Sequence, residues 1–448
     1  MVEFGTDGIR GVANRELTPE LALALGRAVG ESIGSPRVLV GTDTRRSGSM
    51  LKAAFTAGVM SSGCDVVELG VFPTGGIAYV ARSENLVAAV ISASHNPFQD
   101  NGIKIFGRGG RKLTLDQEVL LERRTLELME GSAPISAEDV GTLEVRDATS
   151  GYLEFLVGSV GPAVGGTRRL GVVIDCAHGS AFALGPLLFE RLQCSVLAVV
   201  GASPDGRNIN KGSGSTDLTS LVEAVRSSGA DLGLAFDGDA DRLLAVDEEG
   251  RVVDGDALLA LFAVDMGNRK VLRGDGVVAT VMSNMGLEVA LKARSVELVR
   301  TQVGDRHVAD ALERLGYSLG GEQSGHIIFA DTASTGDGLL TAARLVDLVR
   351  RDGRTLGAMV QSCFRRSPQV LRSIPVADPK SVVAEASKDQ LIDQVRDDLG
   401  ETGRVVIRAS GTEALIRVMV EAETQTQAEA AAGLICKMVG ELAASVAG

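Results

Sequence analysis

Leu232-Gly233-Leu234-Ala235-Phe236-Asp237-Gly238-Asp239-Ala240-Asp241-Arg242 reads as a short apolar strand that runs directly into a loop of three carboxylates. A helix is expected just before it, over residues 218–228. The step from amphipathic helix to apolar strand is the alternation of α/β domains with mainly parallel sheets. Asp237, Asp239 and Asp241 stand at alternate positions with small residues between them. In extended backbone such residues point to one side, so their oxygens can converge on one ion. Carboxylates alone select a hard cation, Mg²⁺ first and Mn²⁺ as a substitute. A solvated acidic turn is a poor alternative, because three uncompensated carboxylates this close repel one another. A calcium loop fails as well. Asp237, Asp239, Asp241 and Glu248 match ligand positions of such a loop, but its sixth position needs Gly for a sharp turn and here carries Arg242. The run at 243–246 is also apolar and strand-like.

Outward from this stretch the same alternation recurs. Upstream lie a strand at 170–175, a helix near 184–192, a strand at 196–200 and a Gly/Asn/Ser loop at 203–217. Nearer the N-terminus, Thr18 can cap a helix with Pro19 at its first position and Glu20 at the positive end of its dipole, and Leu21, Leu25 and Val29 share one face. A strand at 37–41, a helix around 49–62, and strands at 65–69 and 86–91 follow, with a loop-rich acidic stretch at 131–149. Downstream, strands are expected at 277–281 and 296–300 and helices near 287–292 and 308–315. After about residue 367 the pattern changes: alternating runs at 404–408 and 415–420 flank a Gly-containing turn. The fold class is therefore α/β. Three related mixed-sheet domains (1–152, 153–253 and 254–367) and a smaller C-terminal α+β domain (368–448) are expected.

Composition sets the outer limits. A chain of 448 residues is too long for one ordinary core, and 45% hydrophobic with 23% charged residues is a globular balance. A net charge of −13 speaks against nucleic acid as partner. Neither an apolar tract long enough to span a membrane nor a secretory signal is legible, so no membrane partner is expected. Cys64, Cys176, Cys194, Cys363 and Cys436 are scattered and show no CxxC spacing. They read as reduced thiols of a cytoplasmic protein.

Three further strings carry chemistry. Ser92-Ala93-Ser94-His95-Asn96-Pro97 follows the apolar run Val87–Ile91, and loops at the carboxyl ends of strands are where open α/β sheets bind ligands. Ser94 can act there as nucleophile or phosphate carrier, with Lys104 neutralising phosphate or shuttling a proton. A plain polar turn is the alternative. Gly320-Gly321-Glu322-Gln323-Ser324-Gly325-His326 offers groups suited to sugar hydroxyls, and Glu322 or His326 could serve as acid or base; alone it could equally be a flexible loop. Arg408-Ala409-Ser410-Gly411-Thr412-Glu413, with Arg417 beyond, supplies two guanidiniums, two hydroxyls and amides at a Gly turn. That is a phosphate cradle or, more blandly, a charged hairpin. Because each string falls in a different expected unit, a cleft where the units meet is the expected active site.

In this order the four strings resemble the α-D-phosphohexomutase superfamily, and within it the bacterial branch acting on glucosamine phosphates. The likeness spans nearly the whole chain. It takes in Glu3-Phe4-Gly5-Thr6-Asp7-Gly8-Ile9-Arg10-Gly11, Gly41-Thr42-Asp43-Thr44-Arg45, Pro204-Asp205-Gly206-Arg207-Asn208-Ile209-Asn210 and Val303-Gly304-Asp305-Arg306. The resemblance implies four domains around a central cleft. It implies a phosphorylated Ser94 that completes, with Asp237, Asp239 and Asp241, a site for one Mg²⁺ per chain. The implied reaction interconverts glucosamine 6-phosphate and glucosamine 1-phosphate, with glucosamine 1,6-bisphosphate as intermediate and activator. Arg408, Ser410, Gly411, Thr412 and Arg417 would hold the phosphate that is not reacting, and Glu322 and Ser324 would read the sugar hydroxyls. Arg10, Arg242 and His326 would complete the site, with His326 or Lys104 as proton carrier. Glu322-Gln323-Ser324 and residues 280–286 are similar to the glucosamine branch; phosphomannomutase or phosphoglucomutase chemistry is the alternative. Gly75-Gly76, His178 and His307 depart from the usual pattern. Dimers occur among such relatives, so a homodimer is admitted, although the sequence itself sets no oligomeric state.

Overall fold

The computed structural model describes residues 4–5, 7–131, 139–161, 169–410 and 414–446. They form two compact units, Met1–Thr280 with Val299–Ser362, and Val281–Leu298 with Cys363–Gly448.

The first sheet has strand order Ile9–Val12, Asp100–Gly107, Val87–Ile91, Arg37–Thr42, Asp65–Val71, Leu143–Val145, with Arg111–Lys112 beside Asp100–Gly107. Its centre is parallel, and Asp100–Gly107 runs antiparallel to its neighbours. The second sheet runs Val252–Val253, Leu243–Asp247, Leu232–Phe236, Gly171–Asp175, Ser195–Val200. Leu232–Phe236 pairs parallel with Gly171–Asp175 and antiparallel with Leu243–Asp247. The third sheet orders Glu297–Thr301, Gly276–Thr280, Leu319–Gly321, Ile327–Phe329. These are the mixed sheets the alternation predicts, and their central strands are buried along their whole length, as strands covered on both faces should be.

Local signals account for many helices. Thr18 caps Pro19–Ser32 by accepting the Leu21 N–H at 3.3 Å, and the helix packs Leu21, Leu25 and Val29 into a core with Phe55 and Val59. Other elements escaped the reading for physical reasons. Gly255–Asn268 is buried on nearly every face, so it carries no amphipathic period. Leu143–Val145 is an exposed edge strand inside the stretch expected to be loop. The helix Thr74–Glu84 opens with Gly75-Gly76, poor helix formers. Close packing explains them: a Cβ at Gly75 would lie 2.3 Å from Asp337 Cγ, and one at Gly76 would lie 2.5 Å from the Phe72 ring.

The second unit holds a three-stranded antiparallel sheet ordered Gln369–Pro375, Leu415–Glu421, Arg404–Ala409. The helices Pro379–Ala386, Gln390–Leu399 and Gln425–Val446 close a core of Ile392, Val395, Ile416, Val418, Val420 and Ile435. Inside it the fully buried Glu421 pairs with Arg404 at 2.6 Å and accepts the Met285 N–H at 3.0 Å.

Gly75 faces a buried seam of the first unit. There the Tyr152 hydroxyl donates to Asp337 Oδ2 at 2.8 Å, while Asp337 Oδ1 accepts the Leu340 N–H at 2.9 Å and caps Gly338–Asp352. Burial pushes the Asp337 carboxyl up to about 6, against the pull of those hydrogen bonds. A carboxyl raised on folding opposes the fold once ionised, so its contribution is most favourable near pH 4 and is lost as pH rises through about 6. Asp337→Asn preserves the shape and the cap. Its stability relative to the parent should improve by about 2 kcal/mol between pH 4.5 and pH 7.5, measured by denaturant titration. A difference independent of pH would contradict this.

Candidate active site

Each reactive loop starts where a buried strand ends. Val87–Ile91 delivers Ser92–Pro97, Arg37–Thr42 delivers Asp43 and Arg45, Leu232–Phe236 delivers the three aspartates, and Leu319–Gly321 delivers Glu322 to His326. Lys104, which the sequence attaches to the serine loop, sits inside the buried strand Asp100–Gly107. Its ammonium reaches Asp239 Oδ2 at 2.8 Å, Asp7 Oδ2 at 2.8 Å and Asp241 Oδ2 at 3.3 Å. Burial would lower the Lys104 pKa, but Asp239, Asp7 and Asp241 lift it well above the usual range, so the amine stays charged.

Ser94 is buried and donates its hydroxyl to Asp237 Oδ2 at 2.6 Å, with His95 Nδ1 3.3 Å away. Burial, reinforced by Arg242 and Arg10, pushes His95 down to about 3, leaving a neutral imidazole beside the serine. Asp237, Asp239 and Asp241 each present an oxygen within 4.8 Å of the others. Burial first, and then repulsion from Asp241 and Asp239, drives the Asp237 carboxyl well above its usual range. Burial would also raise Asp241, but Lys104, His326 and Arg242 hold it well below. Asp239 Oδ1 and Asp241 Oδ1 are buried without a hydrogen-bond partner. Two orphaned anionic oxygens in an oxygen-only cluster fit a hard divalent cation.

His326 packs against the same cluster, with Nδ1 3.6 Å from Asp241 Oδ2 and Nε2 3.8 Å from Asp305 Oδ2. Burial disfavours its charge, but Asp241, Asp305 and Glu322 carry it up to about 9. The Gly336 N–H pointing at Nε2 from 3.1 Å opposes this and favours a ring protonated on Nδ1. Arg242 approaches Asp241 Oδ1 at 3.8 Å and Asp237 Oδ2 at 3.9 Å. Arg10 joins through Asp7, at 2.6 Å. Glu322 accepts the Gly304 N–H at 3.1 Å and the Ser324 hydroxyl at 3.3 Å. The first unit thus assembles Ser94, Lys104, Arg10, Arg242, Glu322, Ser324, His326 and the three aspartates from segments far apart in sequence.

Arg408 and Arg417 belong to the second unit, directly opposite each other across the hairpin of Arg404–Ala409 and Leu415–Glu421. The Ser410 N–H donates to Leu415 O at 2.9 Å where the hairpin turns. Gly411 and Thr412 lie outside the described residues.

Several participants were not singled out from sequence. Asp7 and Asp305 bracket Lys112, which lies 2.7 Å from the first and pairs with the second. Thr74 donates to Asp239 Oδ2 at 2.7 Å. Arg45 Nη2 donates to the carbonyls of Ser94 at 2.8 Å and Asn96 at 2.7 Å, and Asn210 Nδ2 reaches the same two oxygens at 2.9 and 3.0 Å. Asp43 and Arg45 follow the strand at 37–41 by the same strand-end rule that picked out Ser94, and that rule would have found them.

Comparison with known proteins agrees along the whole chain. Residues 1–131, 150–250 and 254–367 match phosphoglucomutase/phosphomannomutase alpha/beta/alpha domains I, II and III, and residues 371–437 match the C-terminal domain of that family. The phosphoglucosamine mutase of Macrococcus caseolyticus is 45% identical over 95% of this chain and 96% of its own length. That of Desulforudis audaxviator is also 45% identical, over 98% and 96%. A solved phosphoglucomutase/phosphomannomutase family protein from Burkholderia thailandensis superposes with a TM-score of 0.84 at 25% identity, covering 98% of each chain. With serine, lysine and carboxylate cluster brought together in the first unit and all four domain matches in order, the chain belongs to the phosphoglucomutase/phosphomannomutase family of phosphohexomutases.

Proposed function

We propose that this enzyme interconverts glucosamine 6-phosphate and glucosamine 1-phosphate through phospho-Ser94 and glucosamine 1,6-bisphosphate, supplying UDP-N-acetylglucosamine synthesis. The observation that carries the reading is the Ser94 hydroxyl held 2.6 Å from Asp237 inside the carboxylate cluster that Lys104 spans. The name phosphoglucosamine mutase of the relatives supports the sugar. A cytoplasmic setting and a homodimer belong to the same reading and rest on the family resemblance. So do domains at 1–152, 153–253, 254–367 and 368–448, which the family matches support.

Phospho-Ser94 gives its phosphoryl group to the free hydroxyl of the bound hexosamine phosphate: the Ser94 Oγ–P bond breaks as the new P–O bond forms. The bisphosphate then turns round and Ser94 recovers the other phosphate. Lys104 and His326 are the groups that can hold the moving proton. Asp239, Asp7 and Asp241 keep Lys104 protonated and Asp241 and Asp305 keep His326 so; one of the two would give its proton to the serine oxygen as it leaves and take up the proton that the sugar hydroxyl releases. Asp237, Asp239, Asp241 and a phosphate oxygen on Ser94 would hold one Mg²⁺, which when bound neutralises charge on the phosphoryl group. Arg10 and Arg242 add positive charge beside it. Glu322 and Ser324 read hydroxyls presented in both orientations, and Arg408, Ser410, Gly411, Thr412 and Arg417 hold the phosphate that is not reacting.

Three measurements test this. In a coupled assay with Mg²⁺ and a trace of the bisphosphate, glucosamine 6-phosphate should be preferred over glucose and mannose phosphates. Equal rates on glucose phosphate would defeat the glucosamine assignment and leave the carrier serine intact. Ser94→Ala should stay folded and lose at least about a hundredfold in activity, the scale of a removed covalent route; near-normal turnover would end the phosphoserine proposal. Arg417→Ala should raise KM by roughly tenfold or more, as a lost charge-assisted phosphate contact does. An unchanged KM would remove Arg417 from the cradle.

A further inference from the structure

Ser94 carries its hydroxyl on a backbone that serine does not prefer. Its φ is +51°, in the left-handed region where Cβ crowds the backbone. Neighbouring residues 92–97 include no glycine, so the conformation has to be imposed by hydrogen bonds to the backbone of the loop.

All but one of those bonds trace to a single carboxylate. The Ser94 N–H donates to Ser92 Oγ at 2.9 Å, and the Ser92 hydroxyl donates to Asp43 Oδ2 at 2.7 Å. The Ser94 carbonyl accepts from Arg45 Nη2 at 2.8 Å and from Asn210 Nδ2 at 2.9 Å. Arg45 is itself fixed by Asp43, through Nε to Oδ2 at 2.8 Å and its own N–H to Oδ1 at 2.9 Å. Both backbone groups of Ser94 therefore trace to Asp43. Arg45 also binds the carbonyls of Asn96 at 2.7 Å, Asp100 at 3.0 Å and Pro97. Arg45 and Asp43 are both 0% exposed in their side chains. A buried ion pair is a poor way to gain stability, since apolar residues of similar volume do as well or better; its attested use is to fix one conformation.

We propose that Arg45, anchored through Asp43, and Asn210 are positioning residues that hold Ser94 in its left-handed conformation and so aim Oγ along the line of phosphoryl transfer. The proposal deepens the function given above and rests on it. A displacement of the order of 1 Å at a reacting group costs about a hundredfold in rate. Lysine cannot reproduce Arg45, because its single ammonium does not span a carboxylate and several carbonyls at once.

Two variants test it. Arg45→Lys keeps the charge and removes the fork. Asn210→Gly removes the amide donor while tolerating the +59° φ of that position. Turnover of hexose phosphate is measured per phosphorylated Ser94, counted by intact mass, alongside the melting temperature. Expected is a kcat per phosphoserine about 10- to 100-fold lower for Arg45→Lys and about tenfold lower for Asn210→Gly, with KM within about threefold. Turnover per phosphoserine within about twofold of the parent in the variants that fold would overturn the proposal, since a merely structural role lowers only the amount of folded enzyme. If Arg45→Lys does not fold, Asn210→Gly decides. If the parent turns over none of the three hexose phosphates, the functional reading fails. Positioning is then judged by how fast Ser94 takes up phosphate from glucose 1,6-bisphosphate: slowing in the variants supports it, and parental rates overturn it.

Discussion

Three carboxylates buried within a few ångströms of one another, with Lys104 threaded between them, are the constraint around which the first unit is organised. Buried at 0%, 0% and 4% exposure, Asp237, Asp239 and Asp241 cannot share out their repulsion to water. Coulomb energy at such separations is worth several kcal/mol even at an effective dielectric of about 20, so each carboxylate needs a dedicated counter-group. Lys104, Arg242 and His326 supply part of that compensation, Thr74 and the Arg242 amide donate to individual oxygens, and two oxygens are left over. That remainder is the electrostatic signature of a cation site.

Meeting this demand dictates the architecture. The compensating groups cannot come from one element: Lys104 projects from the antiparallel strand of the first sheet, the aspartates leave the end of a strand in the second, and His326 returns from the hairpin of the third. Mixed sheets make this convergence possible, because a parallel strand sends its loop to one edge while an antiparallel partner returns through the same neighbourhood. Asp7, Lys112 and Asp305 extend the pattern, so that positive and negative groups alternate from Lys104 to His326. Truncating one member of such a network leaves its neighbour charged and buried.

Legibility in the sequence follows the same physics. Apolar strands and the loops at their carboxyl ends were readable because burial on both faces and strand-end chemistry leave marks within a few residues. Ser94 and the three aspartates were singled out in that way, and Glu322 and His326 from the polar groups of a Gly-rich string. Lys104 was singled out but the strand that carries it was not, since the three carboxylates that keep its charge, two of them more than a hundred residues away, leave no local mark. Arg45 stands where the strand-end rule points, but the main-chain oxygens that it and Asn210 bind belong to a distant loop, which no local pattern reveals. Gly75-Gly76 looked like a deviation from the family and proved to be a packing requirement, because Asp337 and the Phe72 and Tyr152 rings occupy the space a Cβ would need.

In the carrier role proposed for it, Ser94 would have to satisfy two opposed requirements, and the structure divides them between different kinds of group. Oγ would have to be free to gain and lose a phosphoryl group, and its immediate neighbours are acceptors, Asp237 and a neutral His95. Its backbone must not move while the charge around it changes by about two units on phosphorylation. Hydrogen bonds from a buried, permanently charged guanidinium and an uncharged amide suit that second task, because neither donor titrates as phosphate comes and goes. A lysine or histidine strut would couple its own protonation to the phosphorylation state and would loosen at the moment the geometry matters. On the positioning role proposed for it, that separation accounts for an arginine buried with its carboxylate, unfavourable as a source of stability, that reaches the Ser94 carbonyl rather than its Oγ.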